Sequence, residues 1–542
     1  MLNFIHIFGL TLFTFIFKYF FLKDLYFYFD DFSIFTNLES TQSIFPEFTD
    51  RPLIGLFLLL IFQIFKWNSV AYHILGAVLE IITNLTVYYV VDRLIWHNKF
   101  YSSLTVLFFL LIPGHSQQYW WVILLSLKIL LIMCLVSIYC FHKFILTNQT
   151  KWLLWSSFCY GIPLFGYELA LFLPIVHLLL FIDFVILKNK SNWIASLKCF
   201  SFFAPYILAF LTFRFTKSFG LSAAFNRTDI VMKENVWIRS QKIVETSILG
   251  FPEMDKSVGL QEFLGSNLTS LTLVFSTLIM LFLLITWFTP ILKNKDDPNF
   301  FKKSDYIFIL TLSICIYIYP LIPFFLTSAW FDTRHNYLPH LGLAILIVLI
   351  IRLVLENLQK INQKQLQYVA IIISLYVLTQ ILVQGATSMI GLGIIWRGVG
   401  LDLKSYEVIV KEQFPTVQTK TLFLIKDAEK LRQTVPVFAG DWVVNGFFAK
   451  IYPLQKVKGN YYNLSSEDST DKLLFKINPG FDTLNVAGNQ YPFNQVIILD
   501  GKSQLRAFSA VRIKTPQGDY LRKLQTSPTN DNVGEVLEIS TP

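Results

Sequence analysis

The residues best suited to chemistry are two adjacent carboxylates, Asp30 and Asp31, in Tyr28-Phe29-Asp30-Asp31-Phe32 just after the first apolar run. Ionisable groups beside hydrocarbon are costly, so a carboxylate pair at a membrane–water boundary implies a use. Neighbouring side chains in regular structure point to different sides. One acid can therefore act as a base while the other binds a metal or sets the local field. Transfer to a hydroxyl or amide needs a base within hydrogen-bond reach of the acceptor. Desolvation would raise a carboxylate pKa there and a divalent cation would lower it. The plainer alternative is a pair of solvated loop acids.

Other chemistry-bearing groups are scattered along the chain. Asp50-Arg51-Pro52-Leu53 opens the second apolar segment. Glu168, in Gly166-Tyr167-Glu168-Leu169, is either a second site carboxylate or an acid favouring a helix N-terminus. His115 and His73 are candidate metal ligands, but they lack ligand spacing, and structural or hydrogen-bonding roles fit them better. Arg334-His335-Asn336-Tyr337 precedes a late apolar run. Arg334 can anchor by snorkelling or fork onto a phosphate. Lys128 stands alone in an apolar run and is expected to snorkel or to pair with an acid. Asn148, Asn226 and Asn267 begin Asn-x-Ser/Thr triplets, a pattern common by chance.

The elements that must position these groups are membrane helices. Of 542 residues 54% are hydrophobic and only 15% charged, too apolar for a soluble chain. Apolar runs of about 20 residues recur, as a polytopic helical membrane protein requires. The net charge of +9 does not indicate nucleic acid, because Lys and Arg cluster in short loops on every second connection. Such loops mark the cytoplasmic side.

This alternation predicts an inside N-terminus, about 11 transmembrane helices and an outside C-terminus. The first run lacks a basic leader and a small-residue cleavage site, so it is expected to be a retained span. Leu53 to Phe65 is too short to cross and is expected to lie in the outer interface. The expected outer loops are 23–52, 217–266 and 320–339, all within a membrane domain covering 1–397. The final span is expected at Val369 to Ile390.

After Arg397 long apolar runs stop and short β-rich runs appear, at Thr421 to Ile425 and Val496 to Leu499, separated by turn dipeptides. Residues 398–542 are therefore expected to form a small mixed α/β extracytoplasmic domain. The five cysteines all lie in apolar runs without ligand-like clustering and read as small buried hydrophobes.

Taken together, Asp30-Asp31, Asp50-Arg51-Pro52-Leu53 leading into Trp67-Asn68-Ser69-Val70-Ala71-Tyr72-His73, Pro113-Gly114-His115-Ser116, Gly166-Tyr167-Glu168 and Arg334-His335-Asn336-Tyr337-Leu338-Pro339 form an ordered set. The set resembles GT-C superfamily membrane glycosyltransferases, in particular the O-mannosyltransferase-like and bacterial lipid-linked-sugar-dependent branches. The resemblance covers about residues 1–390. It implies an inverting transfer from a polyprenyl-phosphate sugar donor, at the outer face of the plasma membrane, to a protein, lipid or cell-envelope glycan.

In that resemblance Asp30 or Asp31 is the base, Asp30 being favoured, with Glu168 as a second acid. Arg51, His115, Arg334, His335 and Tyr337 are substrate-binding candidates. Some relatives use a divalent metal, Mg or Mn, for which Asp31 is the candidate ligand. The family often has Lys before its second acid, whereas Tyr167 stands before Glu168 here. A lipid or oligosaccharide flippase or transporter is the competing class. Its usual mark, paired halves with broken helices, is not evident, and the candidate charged sites are expected on outer loops rather than mid-span.

Overall fold

The computed structural model describes residues 2–19, 22–42, 51–112, 120–166, 170, 173–183, 204, 207–208, 236–249, 268–293, 302–321, 325, 333–359, 364–426, 438, 441–462, 475–477, 483–486, 489–500, 506–515, 518–525 and 535–540. Among the described residues six helices are long and apolar enough to cross a membrane: Phe4–Asp24, Ser69–Trp96, Val122–Thr147, Ser304–Leu321, Pro339–Leu358 and Tyr368–Gln413. Pro52–Phe65, Lys99–Leu111 and Val274–Thr286 are shorter apolar helices. The chain is thus a mainly helical, multi-pass membrane protein.

In chain order the helices that matter are α1 (Leu2–Lys18), α2 (Asp30–Thr41), α3 (Pro52–Phe65), α4 (Ser69–Val91) and α5 (Lys99–Leu111). Next come α6 (Leu125–Thr147), α7 (Thr150–Leu164), α8 (Leu173–Phe181), α9 (Val236–Leu249) and α10 (Leu268–Lys293). The last membrane helices are α11 (Lys303–Ile318), α12 (Pro339–Gln359) and α13 (Lys364–Gln413), and α14 (Asp441–Ile451) lies beyond them. Helix α9 falls in the loop expected at 217–266. Of the spans that the apolar runs predict, Leu169 to Leu187 contains α8, whereas Phe200 to Phe213 lies largely outside the described residues.

Helix α3 is 14 residues long, about 21 Å. It buries Ile54, Leu58, Ile61 and Phe62 and exposes Leu56, Leu60 and Ile64. Both faces are apolar, which suits a helix with protein on one side and lipid on the other.

The end of the membrane region differs from expectation. The boundary placed between 397 and 398 lies inside a single 50-residue helix, α13. Composition turns more polar there while the helix runs on. Its backbone hydrogen bonds are internal, so the helix continues past that point.

The α/β region begins instead at β1 (Leu422–Lys426), followed in the chain by α14 and β2 (Lys458–Tyr462). β1 pairs in parallel both with β2 and with β3 (Val496–Asp500), Leu422 lying opposite Lys458 and Val496. The two runs singled out in the sequence are therefore neighbouring strands. Alternate residues of β1 serve two cores, as a period of two requires. Phe423 and Ile425 join the core shared with the membrane helices. Leu422 and Leu424 join a separate cluster with Val486, Val511 and Ile513.

Helices α11 and α12 approach closely at Gly342. A Cβ there would lie 2.6 Å from both the Ser313 carbonyl oxygen and the Tyr317 backbone nitrogen. Small residues at membrane helix crossings allow such approach. Gly342→Val should force the pair apart and lower stability by about 1–3 kcal/mol. Thermal unfolding in detergent checks this, and an unchanged midpoint would contradict it.

Candidate functional site

The acidic pair opens α2, and the turn that introduces it is strained. Phe29 has φ 45° and ψ −119°, a conformation that bulky L-residues rarely adopt. It is held edge-on against Trp121 and Trp396, at 5.4 and 5.5 Å between ring centres.

From that turn the two acids diverge. Asp31 is fully buried, and Asp30 is half-buried. Asp31 Oδ2 accepts from the Tyr28 N–H at 2.9 Å and from the Val122 N–H at 3.3 Å, and its Oδ1 accepts from the Ile123 N–H at 3.0 Å. Burial pushes this carboxyl above the ordinary carboxylate range, and the three N–H donors oppose that push. Asp31 thereby caps the short 3-10 turn Val122–Leu124 that leads into α6.

Five residues beyond Ile123, Lys128 joins a buried ionic cluster. Glu80, on α4, is fully buried and accepts from Lys18 at 2.9 Å and from the Tyr337 hydroxyl at 2.9 Å. Lys128 is 3.5 Å from Glu80 Oε2, the oxygen that Tyr337 also meets, and donates to the Tyr19 hydroxyl at 2.7 Å and to the Gly76 carbonyl at 3.2 Å. The Trp120 indole donates to the Lys18 carbonyl at 3.2 Å, which ties this cluster to the segment Asp31 caps. Lys128 therefore pairs with an acid, one of the two outcomes expected. Glu80 is a charged group that the sequence candidates did not include. It sits in the middle of α4, where its donors offset the cost of burial.

A small apolar cavity of about 30 Å³ reaches this cluster at Tyr337 and is walled by Leu127, Leu130, Pro163 and Ala170. It shares Leu131, Cys134 and Leu338 with a second apolar cavity of about 30 Å³. The second extends between α4, α6, α8, α11 and α12 to Leu94 and Ile95.

The other sequence candidates fare differently. Tyr337 is brought to Glu80, and His335 and Asn336 are buried beside it in the chain. Arg334 is described only by its place in the turn Thr333–Asn336. Arg51 occupies the N-cap position of α3 without a capping side-chain hydrogen bond. His73 hydrogen-bonds the Tyr26 carbonyl oxygen at 2.8 Å, the role expected over metal ligation. His115, Tyr167 and Glu168 lie outside the described residues.

Lys18 and Glu80 were not recognised from sequence. Their signal is that each, like Lys128, is a lone charge in an apolar run, and the signs are opposite.

No family model and no curated protein matches the chain. Among solved structures it is similar to the crystal structure of ArnT from Cupriavidus metallidurans bound to undecaprenyl phosphate. That match is 10% identical, covers 82% of this chain and 88% of that one, and has a TM-score of 0.41. The apo crystal structure of the same protein matches at 11% identity over 81% and 87% of the two chains, with a TM-score of 0.32.

Glu80→Gln should leave two buried ammonium groups facing a neutral amide and cost about 3–5 kcal/mol. Tyr337→Phe removes one donor to a charged group and should cost less, about 1.5–3 kcal/mol. Thermal unfolding in one detergent ranks the two variants. The reverse order would contradict a Glu80-centred cluster.

Proposed function

We propose that the chain is a membrane glycosyltransferase. It takes a sugar from a polyprenyl-phosphate-linked donor and transfers it, with inversion, to an acceptor on the face of the membrane that carries α2 and the α/β region. The observation that carries this reading is the order of environments along one path. Linked apolar cavities end at Tyr337, the Lys18–Glu80–Lys128 cluster comes next, and α2 with its acids lies at the end of the bundle to which Asp31 and Trp120 connect. A lipid-linked sugar has the same order: apolar chain, anionic phosphate, polar sugar. Ammonium groups suit the phosphate as compact point charges.

Within this reading the acids divide their roles. Asp31 has both oxygens engaged by backbone N–H groups and holds the start of α6 against the start of α2. Asp30 is the base that takes the acceptor proton as the sugar's anomeric carbon leaves phosphate. Asp31, the candidate ligand for a divalent metal, accepts three backbone N–H bonds, two on Oδ2 and one on Oδ1. Arg334, His335, Arg51, His115 and Glu168 remain candidates for holding donor or acceptor.

A lipid or oligosaccharide transporter is the second reading, favoured by the mid-span position of Glu80 and its lysine partners. Membranes supplied with radiolabelled polyprenyl-phosphate sugars separate the two. Wild type should release sugar to acceptor, and Asp30→Asn should lose about 10²- to 10⁴-fold in rate while still binding donor. Donor movement across the bilayer without transfer, or full transfer by Asp30→Asn, would overturn the assignment.

A further inference from the structure

The α/β region does more than follow the last membrane helix. Its helix α14 lies directly on α2, and the crossing point is Gly446. A Cβ at Gly446 would sit 2.4 Å from the Ser33 backbone nitrogen and 2.6 Å from the Phe32 carbonyl carbon. Both are backbone atoms of α2, so any side chain at 446 must displace that helix. The Thr36 hydroxyl donates to the Gly446 carbonyl at 3.2 Å, and the Phe32 ring meets Phe447 edge-on at 5.5 Å. Phe32 is two residues from Asp30.

A second junction lies beside this crossing. Lys450 of α14 donates to the Tyr26 hydroxyl and to Glu407 Oε2, and the Tyr26 hydroxyl donates to the same Glu407 oxygen. Tyr26 belongs to the segment entering α2, and Glu407 to the upper part of α13. The junction is largely enclosed, with side-chain exposures of 8% for Lys450 and 17% for Glu407. The Lys450 ammonium also sits over the rings of Tyr26 and Trp67, at 4.7 and 5.5 Å. Trp67 in turn donates to Glu39 near the far end of α2 at 3.1 Å. Helix α2 is thus held at its entry, its middle and its end by groups that converge on α14.

We infer that the C-terminal α/β region is a positioning element for the acidic helix, with Gly446 setting the depth of α2 and the Lys450–Glu407–Tyr26 junction fixing its entry. These are positioning residues, since they act on Asp30 through the backbone of α2. Where the inference concerns rate it rests on the proposed transferase reading. Where it concerns the placement of α2 it does not.

The test uses the full chain in nanodiscs, with two readouts on each variant. Amide hydrogen exchange over residues 30–41 reports how firmly α2 is held. Steady-state transfer from a radiolabelled polyprenyl-phosphate sugar reports kcat and KM separately. Lys450→Met and Gly446→Ala should each speed exchange in α2 at least tenfold and leave exchange in α4 unchanged. They should lower kcat, counted per folded molecule from the monodisperse fraction, tenfold or more with donor KM within twofold of wild type, so that loss of folded protein is not read as loss of rate. The charge swap Lys450→Glu with Glu407→Lys should restore much of both. Lys514→Met, which breaks an exposed pair with Glu538, should change neither.

Unchanged α2 exchange in both Lys450→Met and Gly446→Ala would overturn the inference, as would faster exchange with wild-type kcat. If wild type itself transfers no sugar, the transferase reading fails and the exchange comparison alone decides the positioning role.

Discussion

One carboxylate in the middle of a membrane helix ties the bundle together. Glu80 on α4 takes Lys18 from the end of α1, Lys128 from the start of α6 and the hydroxyl of Tyr337 just before α12. Alone in hydrocarbon such a group would be strongly destabilising. With several donors its burial becomes a constraint that four segments must satisfy together. Most apolar contacts tolerate sliding of one helix along another, because hydrocarbon is as good a neighbour as leucine. Direct hydrogen bonds do not tolerate it. The relative heights of α1, α4, α6 and the turn before α12 are therefore set here.

The acidic helix inherits its place from that arrangement. Asp31 reaches from α2 to the N–H groups that open α6, the helix that carries Lys128. The Tyr28 hydroxyl donates to the Trp396 carbonyl at 2.9 Å, and Arg397 pairs with Asp24 at 2.7 Å, so the entry to α2 also leans on α13. The strained turn at Phe29 persists because its surroundings over-determine it. A half-buried Asp30 follows that turn directly, so its position depends on helices distant in sequence.

Hydropathy made much of the fold legible. Leu53 to Phe65 is a separate short helix, and the two β-rich runs pair side by side. These signals are local, since apolar length and period report environment directly. The boundary at 397 falls within α13 because composition reports side-chain environment, whereas a helix ends where its hydrogen-bond ladder ends. The site was legible only in part. Asp30 and Asp31 stood out as a pair and Tyr337 as part of a motif. Glu80 and Lys18 were single charges whose partners lie 62 residues apart in sequence, and no short pattern encodes that meeting. The burial of Asp31 against Val122 and Ile123 is equally non-local.

Helix α13 is mechanically distinctive because it is continuous. At 50 residues it is about 75 Å long, more than twice the thickness of hydrocarbon. Its upper half presents Trp396, Arg397 and Glu407 to their partners from one unbroken rod. On a rod, height and compass bearing are coupled, each added residue lifting the remainder of the helix by about 1.5 Å and turning it by about 100°. A flexible tether would absorb an inserted residue between Arg397 and Glu407. This strut would instead swing Glu407 out of phase with Lys450, whereas seven inserted residues, close to two full turns, would return the bearing while raising the region by about 10 Å. The molecule thus measures the distance from bilayer to α/β region in helical phase rather than in chain length.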